Sequence, residues 1–201
     1  MGYEIFNIKG YEVEYLDDIH QYLCNGVMLP SITQILKIKF GNKYNGVSNE
    51  VLNRAAELGT KMHKAIQDYE ENGTETDLKE LHNYKFLKKH YEWICINNEV
   101  PVILFKDGKP VACGRIDEVA SMNFKETGLI DFKRTSVLDK EYLAYQLNLY
   151  RIAYQQSYDV EIKFLKGLHL RDDVRKCVSI PINEMEALKL LDEYLEGDRN
   201  E

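Results

Sequence analysis

Asp117 and Asp131 lie fourteen positions apart, and Lys133 follows the second aspartate by two. Carboxylates bind hard cations through oxygen, and an ammonium beside them polarises a water or a scissile phosphate. The three residues therefore suit a site that holds a divalent cation and hydrolyses phosphodiesters. Residues 128–133 read as a short, mostly apolar strand bounded by Gly128. Side chains alternate across a strand, so Asp131 and Lys133 project from one face and Phe132 from the other. An aspartate in an apolar strand is costly to bury unless paired or metal-bound, and an ion pair with Lys133 explains it as well as a cation does. Asp117 is expected to close the preceding strand where the chain leaves the sheet, a place where exposed aspartates are common.

Four further residues bear on that chemistry. His63 sits among Leu58 and Met62 on the apolar side of a long helix. A lone helix histidine is more often a hydrogen-bonded core residue than a ligand, but an imidazole added to carboxylates favours manganese and related ions. Gln146 and Tyr150, four apart on one helix face, would be unsatisfied in a dry core and suit a phosphate or the lysine, although core packing also accounts for them. Glu99 reads as a strand-edge charge rather than as a metal-shell carboxylate.

The elements that must position these groups follow from periodicity. Tyr11, Val13 and Tyr15 suggest a strand, residues 16–18 a turn, and residues 22–24 a second strand ending at Asn25-Gly26, a tight-turn signal. Ser31 is placed to cap a helix start, and residues 41–49 form an exposed loop. A helix over 49–71 carries an apolar stripe from Val51 to Tyr69. Gly59 interrupts it at a cost of about 1 kcal/mol, which suggests close approach of a backbone or ligand. Asp77 with Glu80 resembles a capping box for a helix running to Asn97-Asn98. A hairpin follows, 100–106 and 111–119 about Asp107-Gly108. Then come the Asp131 strand, a helix over 140–157, strands over 160–170 and 174–180, and a last helix from Asn183 to Gly197. Strands interleaved with helices predict an α/β fold, a mixed central sheet flanked by helices on both faces.

The 201 residues suffice for one sizeable core. No apolar run reaches membrane-spanning length and the first residues lack signal-peptide character, so the expectation is an intracellular (cytoplasmic) protein with no membrane partner. Gly2 is a poor myristoylation site because Phe6 stands where Ser or Thr is wanted. Cys24, Cys95, Cys113 and Cys177 have no paired metal-binding spacing. A net charge of −7 argues mildly against nucleic acid. Clustered carboxylates are reversed locally by a bound cation, however, and basic residues group at Lys37, Lys39 and Lys43, at Lys85 to His90, and at Lys133, Arg134 and Lys140.

Gly59 to His63, Gly114 to Asp117, Asp131 to Lys133 and Gln146 to Tyr150 match, in order, the His, Asp, Asp/Glu-x-Lys and Gln-x-x-x-Tyr motifs of RecB-type PD-(D/E)XK nucleases. His20 to Leu23, Asn25-Gly26 and Leu29 to Leu36 resemble the segment before those motifs in phage exonucleases and in the mitochondrial genome maintenance exonuclease, which admits a phage origin. The resemblance spans roughly residues 11–170. It implies a restriction-endonuclease-like core over 1–201 as a single nuclease domain, with 1–45 a hairpin/helix segment packing over it. It implies Mg²⁺ or Mn²⁺ held by His63, Asp117, Asp131 and the Phe132 carbonyl. Lys133 would activate or orient the attacking water, with Gln146 and Tyr150 assisting. The scattered cysteines do not fit the iron–sulfur cluster of some relatives. The segment from Val174 matches none of these motifs.

The implied activity is metal-dependent hydrolysis of DNA by an exonuclease acting on single-stranded or free ends in recombination, repair or replication. A structure-specific or restriction-type endonuclease on the same core is the second reading, separated by activity on closed circles. A non-catalytic nucleic-acid- or protein-binding module is the third. The intact set of Asp117, Asp131 and Lys133 speaks against it.

Overall fold

The computed structural model of the chain describes residues 3–16, 21–41, 43 and 45–198. Four strands open it as an antiparallel meander: β1 (Tyr3–Ile8), β2 (Tyr11–Leu16), β3 (Gln21–Cys24) and β4 (Val27–Leu29). Lys9-Gly10 and Asn25-Gly26 turn with positive φ at both positions, as two-residue hairpins require. β1 and β4 are additions to the sequence reading. β1 sets Ile5 beside Phe6 and so blurs its alternation, and β4 is only three residues long. Asp17 and Asp18 of the expected turn, His20, and the Met1-Gly2 terminus lie outside the described residues.

Two short helices follow, α1 (Ile32–Ile35) and α2 (Lys37–Phe40). Ser31 caps α1 in a full capping box: its hydroxyl accepts the Gln34 N–H at 3.1 Å, and Gln34 Oε1 accepts the Ser31 N–H at 2.7 Å. α3 (Asn49–Asn72) starts on Ser48 and stops at Gly73, whose φ of +69° suits a glycine C-cap. Its expected stripe is used only in part. Met62, Ala65 and Ile66 are buried, whereas Val51 is 58% exposed, and nothing approaches within 4 Å of where a Gly59 Cβ would sit.

α4 (Lys79–Tyr91) departs from expectation at both ends. Leu78 holds the N-cap position without a side-chain bond, so Asp77 and Glu80 make no capping box. Glu80 is instead buried, accepting from Arg134 Nε at 2.6 Å and from the Asp172 N–H at 3.2 Å. Glu92, left-handed at φ +55°, ends the helix, and Ile94 and Asn97 belong to the next strand.

The main sheet has the order β5 (Trp93–Lys106), β6 (Lys109–Met122), β7 (Glu126–Lys133), β8 (Phe164–Arg171) and β9 (Val174–Ile180). Only β7 and β8 pair in parallel, across a connection through α5 (Lys140–Tyr158); α6 (Glu184–Asp198) closes the chain. On one face Ile32, Leu143, Leu147 and Leu190 of α1, α5 and α6 pack on Val102, Ile116, Leu129 and Leu165. On the other, Met62, Ile66, Leu81 and Tyr84 of α3 and α4 pack on Ala120, Ile130, Phe132 and Leu168. The protein is thus α/β, with a mixed central sheet covered on both faces.

The N-terminal segment joins this body through Ile8, Val13, Tyr22 and Cys24, buried against Ile103 and Cys113. The Cys113 N–H donates to the Pro30 carbonyl at 3.0 Å, which ties the start of α1 to β6. No described helix is long and apolar enough to cross a membrane.

Candidate metal centre

A break in strand alternation makes the site. In β6, Ala112, Gly114 and Ile116 face α1 and α5, whereas Glu118 and Ala120 face α3 and α4. A strict period of two would put Ile116 and Glu118 on one face. The reversal falls on Asp117, inside a strand that continues to Met122, so Asp117 does not stand at a strand end as the sequence suggested. The β6–β7 pairing stops at Glu118↔Ile130, while Asp131, Phe132 and Lys133 stay paired with β8. The two strands part where the acidic residues begin. Asp117 Oδ2 accepts the Phe132 N–H at 2.6 Å and so satisfies an amide that the ladder has released. Across from Asp117, Glu99 takes a φ of +47°, uncommon for a residue with a side chain.

His63 enters from α3. Its Nδ1 lies 3.5 Å from Glu99 Oε1 and 3.6 Å from Asp117 Oδ1. One ligand atom from each of the three residues falls within 4.8 Å of the others. The His63 ring rests on Phe132, with centroids 5.6 Å apart. Asp131 and Lys133 share a face as the alternation predicted, Nζ lying 2.6 Å from Oδ2. That contact is a short ion pair on a carboxylate that is almost wholly buried.

Gln146 and Tyr150 approach from α5. Gly114 makes room for Tyr150: a Cβ there would sit 2.6 Å from its Cε1. Gln146 hydrogen-bonds Tyr150, yet its Oε1 is buried with no partner among the described residues. Gln146 and Tyr150 thus share one face of α5, as their spacing predicted, and both are buried, with one acceptor unused.

The electrostatics are those of crowded acids. Burial, opposed by His63 and Lys133, holds the Asp117 carboxyl above its usual range. Burial likewise pushes Asp131 up to about 6 against the pull of Lys133. Burial works against the charged forms of His63 and Lys133, but the carboxylates win. Asp117 and Glu99 bring His63 up to about 9, and Asp131 and Asp117 raise Lys133. Burial also lifts the Tyr150 phenol well above its usual value, so it stays a hydrogen-bond donor. Three acids face two cationic side chains, and the deficit fits a divalent cation in this oxygen- and imidazole-rich setting. His63, Glu99 and Asp117 supply one imidazole and two carboxylates, a donor set that could hold a metal ion.

The expected ligand group is gathered only in part. His63 and Asp117 converge, and the trio is completed by Glu99, which the sequence reading set aside as a strand-edge charge. Asp131 lies beside that trio, on Lys133. Phe132 engages Asp117 through its amide and His63 through its ring. The signal for Glu99 was its place just before an apolar run; counting back from the Asp107-Gly108 turn pairs it with Ile116, and a register shift between Leu104 and Phe105 brings it opposite Asp117.

Two openings reach the site. A cavity of about 410 Å³, lined by Lys37, Phe40, Lys43 and Tyr142, ends at Lys133. A second, about 320 Å³, lined by Glu4, Gln67, Asn98 and Arg115, ends at Glu99.

No protein-family model matches the chain, and no curated protein matches it. Among solved structures it is similar to the crystal structure of SSO0001, at 15% identity and a TM-score of 0.47, over 83% of this chain and 74% of that one.

Proposed function

We propose that the protein is a cation-dependent deoxyribonuclease of the PD-(D/E)XK kind, working as an exonuclease on single-stranded ends. One observation carries the reading: an imidazole and two carboxylates converge within 4.8 Å, and a second acid–lysine pair stands next to them. Mg²⁺ or Mn²⁺, bound by His63, Glu99 and Asp117 with Asp131 adjacent, would supply charge neutralisation at the phosphate and a more acidic water. Lys133 is held protonated by Asp131 and Asp117, so it acts as a positive charge and donor toward the phosphate rather than as a base. Asp131 keeps that ammonium in place. The Tyr150 hydroxyl and the Gln146 amide bond phosphate oxygens and orient the strand. A cavity of about 410 Å³ with lysines and aromatic rings at its wall suits a nucleotide or two of unpaired strand better than a duplex.

The test incubates purified protein with 5′- and 3′-labelled single strands, duplexes and closed circles, with Mg²⁺, Mn²⁺ or EDTA, and with Lys133→Ala protein as the blank. Cation-dependent shortening of linear single strands, with circles intact, is expected. Cleaved circles would favour the endonuclease reading. Inert DNA throughout, or full activity in Lys133→Ala, would overturn the proposal.

A further inference from the structure

β5 forms one edge of the main sheet, and its two halves are treated differently. Along the second half, the end of α5 covers the unpaired backbone. Ser157 bonds both the N–H and the carbonyl of Ile103, Gln156 does the same for Phe105, and the Tyr158 hydroxyl donates to the Pro101 carbonyl. Such side-chain cover is how an edge is protected from added strands. Over residues 93–97 no described side chain performs that service. Ile94 and Ile96 stand 43% and 47% exposed on this bare stretch.

Beside it opens a cleft of about 960 Å³ between α3, α4 and the β6–β7 turn. The turn spans residues 123–125, with Asn123 at φ +54° and Phe124 at φ +56°. Positive φ is a strained choice for a bulky residue, and it leaves Phe124 85% exposed at the cleft wall. Nothing in the fold needs that ring there. Lys85 and Lys88 also line the cleft, but their charges are answered by Glu75 and Glu70. Lys89, and Lys125 next to Phe124, have no acidic partner among the described residues. Glu92 is the one acid among the residues lining it.

We infer that this edge and cleft are a docking site for an extended, acidic protein segment carrying an apolar or aromatic side chain. The segment adds as a strand along residues 93–97, its backbone pairing with the bare edge. Its apolar side chain enters between Phe124 and Ile94, and its carboxylates meet Lys89 and Lys125. Two dispersed cations are sparse for tracking a polyphosphate backbone, and the exposed aliphatic edge gives a nucleic acid nothing to bond, so a peptide is the better fit. A second copy of this acidic chain would bring the same cations face to face.

The test binds the full chain to an array of short peptides varied at every position through all natural residues, with oligodeoxythymidine as a parallel probe. The enriched peptides should combine Asp or Glu with an apolar or aromatic residue and slow amide exchange at residues 93–97. Phe124→Ala and Lys89→Glu, both on exposed side chains, should each weaken binding by about tenfold or more, the loss that removing a central anchor brings. Closed-circle and linear-strand assays should be unchanged, because neither residue belongs to the metal centre. Four outcomes would overturn the inference: no enrichment, enrichment of basic peptides, exchange slowed elsewhere, or oligodeoxythymidine alone showing sensitivity to Phe124→Ala. Self-association through this edge, seen as concentration-dependent sedimentation abolished by Phe124→Ala, would overturn it as well.

Discussion

Glu118→Gln should remove a steep pH dependence from the stability of this fold. Tyr84 has a single hydroxyl hydrogen, yet its oxygen lies 2.7 Å from Glu118 Oε2 and 2.9 Å from Glu70 Oε1. Lys88 Nζ contacts both oxygens of Glu70, so Glu70 is the ionised partner and takes the Tyr84 hydrogen. Glu118, fully buried and accepting Trp93 Nε1–H at 2.7 Å, must then carry a proton and donate it to Tyr84. Burial pushes its carboxyl up to about 8 from an ordinary 4.5. Between those values the native state binds a proton that the unfolded chain has lost. Stability from this group is therefore full below the unfolded pKa and falls as pH rises, by ~1.4 kcal/mol per pH unit. From roughly pH 5 to 7 that amounts to roughly 3 kcal/mol, or on the order of 6–12 °C in melting midpoint for a chain of this length. Glutamine keeps a carbonyl for Trp93 and an N–H for Tyr84 but does not titrate. Thermal and urea unfolding of both proteins across this range should show the variant gaining on the wild type as pH rises. Parallel profiles would refute the proton assignment.

Gly114→Ala should destabilise by about 1–3 kcal/mol, because the new methyl meets the Tyr150 ring at 2.6 Å. Adding Tyr150→Leu should recover part of that loss in a double-mutant cycle of unfolding free energies. Glu99→Gln should weaken Mn²⁺ binding by calorimetry at least roughly tenfold, since even outer-shell partners of metal ligands are worth that much. His63, brought up to about 9 by Asp117 and Glu99, must lose its proton to ligate. Mn²⁺ uptake near neutrality should therefore release a proton and tighten as pH rises toward that value, read as calorimetric heats that vary with the buffer's ionisation enthalpy.

The parts of the site that were legible in the sequence are those governed by local periodicity. A period of two put Asp131 and Lys133 on one face, and a spacing of four put Gln146 and Tyr150 on another. The long helix carrying His63 was plain from its apolar stripe. What escaped was non-local or unmarked by residue type. The left-handed backbones at Glu92, which ends α4, and at Glu99, inside β5, fall on residues that announce no turn, so periodicity runs α4 too long and leaves Glu99 as an edge charge. The phase reversal at Asp117 depends on helices packing on opposite faces of one strand, which no single-strand pattern reveals. Glu80 fits a capping pattern in the sequence, but its partner Arg134 lies 54 residues away, just after β7.

Anomalous diffraction from crystals soaked in Mn²⁺ locates the cation itself. A peak coordinated by His63, Glu99 and Asp117 is expected, with Asp131 and Lys133 bordering it, and it should be lost in Asp117→Asn. Manganese bound elsewhere while these three side chains stay bare, or an undiminished peak in Asp117→Asn, would contradict this metal centre.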